Sequence, residues 1–217
     1  MRYYTKILVK MLLKRSINLR QFFGFLKEQN KGQRRPLRET TYAAIAALQN
    51  EARIKSLDKK DINIFFDMDN TLFKYSVNHN DVLSLKLQNF EGFFENLEPF
   101  KEGPAVLKAL IDEGYNVYIL SSCCNDTYCM KEKRASLKKH FPFIPDDQII
   151  LVMNGQNKAE QIALRGIDVQ SSVLVDDYYV NIVNWIAQGG MGIKKTFSGK
   201  KREIPQVSDL RELLDIF

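Results

Sequence analysis

The sequence predicts an α/β fold in which helices cover both faces of a parallel β-sheet. Two observations support this prediction. From residue 62 onward, short apolar runs rich in β-branched and aromatic residues alternate with longer segments of helical character, an order typical of parallel sheets. Glycine or proline stands between many of these segments, as expected where helices begin and end. Such sheets bind ligands at the carboxyl ends of their strands, so the functional residues are expected there.

Five short runs are candidate strands, at 62–66, 115–121, 148–153, 172–176 and 192–196. Between them, Pro104 lies at an expected first helical turn, where proline costs no hydrogen bond. Gly114, Gly166 and Gly189 are expected to end helices, and Ser208 is expected to cap the last one. The sequence contains no internal repeat and no low-complexity tract.

Residues 1–60 differ from the rest of the chain in charge. They contain 15 Lys or Arg residues against 4 Asp or Glu, a balance of +11, whereas residues 61–217 contain 17 against 22, a balance of −5. Apolar residues recur at helical spacing around 4–11 and 22–26, and an alanine-rich helix is expected at 40–54. We therefore predict a basic helical extension over 1–60 and a main domain over 61–217.

Three roles are open for this extension. Its charge suits binding to nucleic acid or to an acidic membrane surface. Its first 27 residues lack acidic side chains, as organellar presequences do. A helical extension that packs on the main domain is the third alternative.

Composition favours a soluble, cytoplasmic protein. Charged residues make up 27% of the chain, and no apolar run approaches the roughly 20 residues that span a bilayer. The apolar stretch at 7–13 is short and lacks the cleavage site of a secretory signal. Cys123, Cys124 and Cys129 are clustered, odd in number and without the spacing of zinc sites, so we expect thiols rather than disulfides or bound zinc.

Two carboxylates follow the first predicted strand, in Asp67-Met68-Asp69-Asn70-Thr71. Asp67 should project from the strand tip, with Asp69 one step beyond it. A carboxylate in this place can attack phosphorus to form an aspartyl-phosphate, and its neighbour can protonate the leaving group and then deprotonate the hydrolytic water. Thr71 is expected to hold the loop by hydrogen bonding. The alternative is an Asx-rich turn without a catalytic role.

Two other strands also end in polar residues. Asp176 and Asp177 end the strand at 172–176, and acidic groups gathered at one sheet edge form an all-oxygen site suited to Mg²⁺. Ser121 and Ser122 end the strand at 115–121 and can bind phosphate oxygens.

A phosphate dianion also requires a cation. Lys158 begins a helix directly after the strand at 148–153 and is the favoured candidate, with Lys133 as the competitor.

Together these motifs resemble the haloacid dehalogenase superfamily of phosphohydrolases. The matching motifs are FFDMDNTLF (65–73), YILSS (118–122), the lysine, and LVDDYY (174–179). Within the superfamily, GFFENLEP (92–99) and Glu132-Lys133 make the chain most similar to the 5′(3′)-deoxyribonucleotidases. The resemblance covers about 65–190. It implies a Rossmann-like three-layer catalytic domain with a short cap inserted at 74–92, and it does not explain residues 1–60.

The resemblance also implies roles. Asp67 would be the nucleophile and Asp69 the acid–base residue, while Ser121 stands where the family binds phosphate. Mg²⁺ would be held by the Asp67 carboxylate, the Asp69 carbonyl and one or both of Asp176 and Asp177. The residues expected to border a base pocket are Phe73, Phe93 and Phe94.

The expected function is Mg²⁺-dependent hydrolysis of (deoxy)nucleoside monophosphates by a 5′(3′)-nucleotidase. One alternative is a phosphatase for another phosphomonoester or for a nucleic-acid end brought in by the basic segment. The other is a non-catalytic, nucleic-acid-associated module, against which the intact Asp67, Asp69 and Asp176 argue. A short cap leaves the selectivity among nucleotides open.

Overall fold

The computed structural model describes residues 39–75, 77, 82–124, 128–198 and 204–217. Its strands are β1 (Asn63–Phe66), β2 (Asn116–Cys123), β3 (Ile149–Met153), β4 (Ser172–Asp176), β5 (Met191–Lys195) and β6 (Gln206–Val207). Its helices are α1 (Glu39–Ile54), α2 (Val82–Leu87), α3 (Gly103–Asp112), α4 (Cys129–His140), α5 (Lys158–Ala163) and α6 (Tyr179–Ala187). The strands form one parallel sheet in the order β3-β2-β1-β4-β5-β6, which confirms the predicted fold class.

The sheet is the middle of three layers, as the resemblance implied. Successive residues of a strand face opposite sides of a sheet. Ile64 and Phe66 of β1 accordingly pack in one core with α3, and Phe65 packs in a second core with α5 and α6. All residues of β4 are buried. Strands covered on both faces have continuous apolar runs, which is why the sequence identified them.

The predicted elements agree closely with the structure. Each of the five expected strands is present with its ends displaced by no more than two residues, and the helix expected at 40–54 is α1. Pro104 lies in the first turn of α3. Gly114, Gly166 and Gly189 follow α3, α5 and α6 with positive φ angles. Strand β6 was not predicted because it has two residues and pairs with β5 at the sheet edge, too short a segment for a periodic pattern.

The prediction that Ser208 caps the last helix is wrong. The segment Leu210–Asp215 is a 3₁₀ helix whose N-cap is Asp209, and the Asp209 carboxylate accepts from the Arg211 N–H at 2.8 Å. Glu212 completes a reciprocal capping box by accepting from the Asp209 N–H, also at 2.8 Å. Asp209 satisfies two backbone donors together with Glu212, and Ser208 instead donates its hydroxyl to Glu212 at 2.7 Å.

Helix α1 packs on the sheet domain next to α6 and β5. The Asn50 side chain donates to the Gly190 carbonyl at 2.6 Å, and the Arg53 guanidinium donates to the carbonyls of Gln170 and Gly189. Ala47 and Ile54 are buried. The last part of the predicted extension is therefore in contact with the domain, whereas the helices expected around 4–11 and 22–26 lie outside the described residues. Every described helix is too short or too polar to cross a membrane.

The two ends of the cap insertion, which lies between β1 and α3, are paired with each other. Phe73 and Pro99 form an antiparallel bridge, and the Lys74 N–H donates to the Glu98 carbonyl at 2.8 Å. The described part of the insertion contains α2 and a series of turns. Residues 76 and 78–81 of the predicted cap lie outside the described residues. This closed base places the cap over the carboxyl end of β1.

Candidate active site

Asp67 lies at the centre of the site because it directly follows the central strand. Its N–H donates to the Val175 carbonyl at 2.9 Å, which continues the pairing of β1 with β4 by one residue. The loop then turns at Asn70, whose φ of 54° is left-handed, a conformation that asparagine tolerates better than most residues. The Asn70 side-chain oxygen accepts from the Tyr75 N–H at 3.0 Å. This turn brings Asp67 and Asp69 to the same edge of the sheet.

The two side-chain oxygens of Asp69 have different surroundings, and the side chain as a whole is 25% exposed. Its Oδ2 accepts from Lys133, while its Oδ1 is buried and has no hydrogen-bond partner among the described residues. Burial, together with the nearby charge of Asp67, raises the pKa of Asp69 against the opposing effect of Lys133. A buried carboxyl oxygen without a partner is costly, and this cost disfavours the ionised form of Asp69.

Lys158 joins two of the strand ends. It is the first residue of α5, whose N-cap Asn157 accepts from the Ala159 N–H at 3.0 Å. The Lys158 Nζ donates to Asp67 Oδ1 at 2.5 Å and to Asp176 Oδ2 at 2.7 Å. Burial disfavours the charged form of Lys158, but the attraction of Asp176 and Asp67 outweighs it and raises the pKa. The side chain therefore stays protonated in the buried site.

Lys133 occupies the other side of the site and projects from α4. Its Nζ donates to Asp69 Oδ2 at 2.5 Å, to the Ser122 carbonyl at 2.7 Å and to Ser121 Oγ at 3.2 Å. The same ammonium group lies 4.9 Å from the centre of the Phe94 ring. Burial opposes its charge, yet Asp69 and Asp67 raise the pKa of Lys133. The structure thus brings both candidate lysines into the site, each beside a different carboxylate of the first motif.

The two carboxylates after β4 have different surroundings. Asp176 is fully buried and accepts from the Tyr178 N–H at 2.7 Å and from Asn181 Nδ2 at 2.9 Å. The Asp177 N–H donates to Thr71 Oγ1 at 3.1 Å, which is the loop-holding hydrogen bond expected of Thr71. Burial raises the pKa of Asp176. Burial, followed by the charges of Asp67 and Asp176, raises the pKa of Asp177 to about 7.

Three of these carboxylates form a cluster that suits a hard cation. One oxygen each from Asp67, Asp176 and Asp177 lies within 4.8 Å of the others. Lys158 pairs with Asp67 and Asp176, which leaves the cluster with an excess of negative charge. An all-oxygen donor set with this excess fits Mg²⁺.

The site opens into a cleft of about 830 Å³, within the usual size range of small-molecule sites. The cap contributes three side chains, which we call the cap wall: Tyr75, Gln88 and Phe94. Within it, the Tyr75 hydroxyl donates to Gln88 Oε1 at 2.7 Å, and the Tyr75 and Phe94 rings stack with centroids 6.4 Å apart. The cleft therefore has two different ends. One, which we call the charged end, is lined by Asp67, Asp69, Lys133, Lys158, Asp176 and Asp177, and the other is the partly aromatic cap wall.

The predicted aromatic residues occupy different places. Of the three, only Phe94 lines the cleft. Phe93 is outside the cleft lining and packs edge-on against Phe94, with ring centroids 5.0 Å apart. Phe73 does not border the cleft, contrary to the prediction. It is fully buried in the core against Phe141, with ring centroids 5.7 Å apart. The Phe73 backbone forms isolated bridges with Asp69 and Pro99, and its side chain belongs to the core and not to the cleft lining.

The serines and cysteines lie under the charged end. Ser121 is fully buried beneath Lys133, whereas Ser122 lines the cleft. The three cysteines are thiols and form no disulfide, as expected. Cys123 lines the cleft and packs with Cys129 against Phe94.

Several cleft residues were not predicted from the sequence. They are Tyr75, Gln88, the segment 154–157, Tyr178, Val180, Asn181 and Asn184. For Asn181 and Asn184 a signal existed, because residues three apart share a helix face and α6 begins directly after the acidic strand end. Tyr75 and Gln88 are brought to the cleft by the path of the cap, for which the sequence contains no periodic signal.

The family model described as "5′ nucleotidase, deoxy (Pyrimidine), cytosolic type C protein" matches residues 76–193. This match begins after the Asp67–Thr71 motif and includes both lysines, both serines and the acidic pair. No curated protein matches the sequence significantly.

Solved structures share the fold at low sequence identity. A crystal structure described as a dehalogenase has a TM-score of 0.54 and 15% identity, covering 74% of this chain and 99% of that one. A haloacid dehalogenase-superfamily hydrolase from Ehrlichia chaffeensis has a TM-score of 0.51 and 13% identity, with 74% and 97% covered. A family hydrolase from Deinococcus radiodurans R1, with bound phosphate and sodium, has a TM-score of 0.50 and 13% identity, with 72% and 94% covered.

These structures establish a haloacid dehalogenase-like fold, and the family model spans more than half of the chain. The carboxylates described above lie at or just after the ends of β1 and β4, and helices α4 and α5 bring the lysines to them. The chain therefore belongs to the 5′-nucleotidase, deoxy (pyrimidine), cytosolic type C family and is a phosphatase, and it has a haloacid dehalogenase-like fold.

Proposed function

We propose that the protein is a Mg²⁺-dependent 5′(3′)-nucleotidase that dephosphorylates (deoxy)nucleoside monophosphates through an aspartyl-phosphate on Asp67. The observation that carries this proposal is the pairing of each carboxylate of the first motif with its own buried lysine at the charged end of the cleft. Lys158 lies 2.5 Å from Asp67, and Lys133 lies 2.5 Å from Asp69. The family match supports the nucleotide substrate, and we extend its cytosolic description to a cytoplasmic location for this chain.

In the proposed first step, a carboxylate oxygen of Asp67 attacks phosphorus while the bond to the leaving alkoxide breaks. Lys158 holds Asp67 Oδ1, so Oδ2 is the oxygen we assign to the attack. Asp69, whose side chain lines the cleft and is 25% exposed, donates its proton to the alkoxide. In the second step, Asp69 takes a proton from water, which hydrolyses the aspartyl-phosphate and restores Asp67.

The lysines and serines supply the phosphate site in this proposal. Lys158 and Lys133 are both buried and charged, and preorganised charges in a dry site stabilise a transferring phosphoryl group without reorganisation. We retain Lys158 as the favoured phosphate contact because it also touches the nucleophile. Ser122 lines the cleft near the end of β2, and the fully buried Ser121 supports the site indirectly by accepting from Lys133 at 3.2 Å.

Mg²⁺ fits the acidic cluster by its donor chemistry and charge. The residues that would hold it are Asp67, through its carboxylate, Asp69, through its carbonyl, and one or both of Asp176 and Asp177. When bound, the ion would neutralise charge on the phosphate and on the attacking carboxylate. Asn181 and the Tyr178 N–H orient Asp176 in the absence of any ligand.

The size and lining of the cleft support a substrate larger than phosphate alone. The cap wall offers the half-buried Tyr75 ring, which is stacked against the buried Phe94, and the Gln88 amide opposite the charged end, a combination suited to a nucleoside. Another phosphomonoester, or a nucleic-acid end held by the basic segment at the N-terminus, is the alternative substrate.

A panel of phosphomonoesters tests this proposal. The purified protein is incubated with Mg²⁺ and with 5′- and 3′-nucleoside monophosphates, sugar phosphates or a 5′-phosphorylated oligonucleotide, and released phosphate is measured. We expect the highest kcat/KM with nucleoside monophosphates. Faster hydrolysis of sugar phosphates or of the oligonucleotide would contradict the substrate assignment, and absence of phosphate release from every compound would contradict the activity.

A further inference from the structure

Glu132 is a buried carboxylate whose two oxygens both face backbone donors of the cap. It lies on α4 and is 4% exposed. Its Oε1 accepts from the Gly92 N–H at 2.6 Å, and its Oε2 accepts from the Phe94 N–H at 3.0 Å. Alternate N–H groups that converge in a tight turn form an anion-binding concavity, and here a side chain of the same protein occupies it. Such charge-assisted hydrogen bonds offset the cost of burying the carboxylate.

The turn that Glu132 holds is itself tightly constrained. Gly92 has a φ of 87°, which favours glycine, and its carbonyl accepts from Asn96 Nδ2 at 2.7 Å. Phe94, two residues later, is 2% exposed and stacks against Tyr75 in the cap wall. The position of the cap wall therefore depends on the turn, and the turn is fastened to α4 through Glu132.

The next residue on the same helix is the lysine of the charged end. Lys133 reaches Asp69 and the end of β2, and its ammonium group also lies over the Phe94 ring at 4.9 Å. Two consecutive residues of α4 thus fasten the two ends of the cleft, Glu132 the cap wall and Lys133 the charged end. One rigid helical segment sets the distance between them.

We infer that Glu132 is a positioning residue that selects nucleoside monophosphates over smaller phosphate compounds by holding the cap wall at a set distance from Lys133. This inference rests on the proposed function. A substrate that reaches from the charged end to the cap wall binds more tightly when this distance is kept. The binding of a substrate too small to reach the cap wall does not depend on the distance.

The test compares two substrates in the variant Glu132→Gln. Glutamine keeps the size of the side chain, but its amide group has one acceptor oxygen and an NH₂ donor. The backbone N–H of either Gly92 or Phe94 would then face this NH₂ group and lose its acceptor. We expect the KM for the preferred nucleoside monophosphate to rise about tenfold, equivalent to about 1.4 kcal/mol. For acetyl phosphate, which is too small to reach the cap wall, kcat/KM should stay within about twofold of the wild-type value.

Glu95→Gln is the matched control, because it makes the same chemical change at an exposed position one residue after Phe94, and it should behave as wild type. Equal losses with both substrates in Glu132→Gln would show a merely structural role and overturn the inference, as would unchanged kinetics. If Glu132→Gln does not fold, Glu132→Asp keeps the charge and both acceptors on a shorter side chain, and the same separation of the two substrates is expected from it.

Failure of the proposed function would be visible in the wild type. A wild-type enzyme that hydrolyses acetyl phosphate but shows no preference for nucleotides overturns the proposed substrate and this inference with it. A wild-type enzyme that prefers nucleotides, together with a Glu132 variant that keeps the full preference, overturns this inference alone.

Discussion

Replacing Asp67 with asparagine is the most direct test of covalent catalysis. Asparagine has nearly the same size and keeps an oxygen that can accept from Lys158, which lies 2.5 Å from Asp67 Oδ1. Its neutral amide cannot form the acyl-phosphate. We expect phosphate release to fall by more than about a thousandfold, which corresponds to about 4 kcal/mol of lost transition-state stabilisation.

The same substitution should leave the fold intact. Removing one partner of a buried ion pair typically costs about 3–5 kcal/mol because the other charge is left uncompensated. Lys158 would not be left so, since Asp176 remains at 2.7 Å. In addition, the substitution removes one negative charge from a cluster that has an excess of them. We therefore expect the free energy of unfolding to change by less than that range.

The assay measures released phosphate with Mg²⁺ under saturating substrate, with thermal unfolding measured in parallel. Asp147→Asn, at an exposed position far from the cleft lining, makes the same chemical change and should keep wild-type turnover. If the Asp67→Asn protein is folded and retains more than about a tenth of wild-type turnover, a loss below about 1.4 kcal/mol, the assignment of Asp67 as nucleophile is wrong.

Three further predictions concern the metal, the lysines and the N-terminal residues. Excess EDTA should abolish phosphate release and added Mg²⁺ should restore it, whereas Ca²⁺ should be a poor substitute because its coordination shell is larger and looser. Full activity in excess EDTA, or a strict requirement for zinc, would contradict the assignment of Mg²⁺. Lys158→Met and Lys133→Met should each lower kcat/KM by about a hundredfold or more. Inhibition by inorganic phosphate should weaken more in Lys158→Met, and an equal or larger effect in Lys133→Met would reassign the phosphate contact. Removal of residues 1–38 should leave nucleotide hydrolysis unchanged. Removal of residues 1–60 should lower the melting temperature, because only the longer deletion removes α1. Equal melting temperatures of the two truncated proteins would refute the stabilising role of α1.

Much of the fold was predictable because a parallel sheet covered on both faces leaves a strong signal. The central strands β1 and β4 contain short apolar runs, and all residues of β4 are buried. No helix of ordinary length fits such a short run. The edge strand β6 lacked this signal, since it has only two residues. Ser208 was misassigned for a local reason: the adjacent Asp209 and Glu212 satisfy the same backbone donors reciprocally.

The charged end of the cleft was predictable for a related reason, whereas the cap wall was not. Asp67 directly follows β1, Asp176 is the last residue of β4 and Ser121 lies near the end of β2, so the parallel topology brings them to one edge of the sheet. Tyr75 and Gln88 reach the cleft through the tertiary path of the cap, which no spacing in the sequence specifies. Phe73 is the opposite case, a residue predicted at the cleft that is not there. It adjoins the first motif in sequence, but its side chain packs in the core against Phe141.

The basic extension predicted over 1–60 consists of two parts with different properties. Residues 1–38 contain 11 basic residues and 1 acidic residue, a balance of +10, whereas residues 39–60 contain 4 and 3, a balance of +1. The part that packs on the domain through Asn50 and Arg53 is therefore nearly neutral, and almost all of the positive charge precedes it. Packing on the domain and attraction to a polyanion are therefore not alternatives for one segment, because the packing involves α1 and the positive charge lies in residues 1–38. Because the face of α1 that carries Ala47 and Asn50 is occupied by the domain, a nucleic-acid or membrane partner has to be sought through residues 1–38, and losing such a partner need not disturb the catalytic cleft.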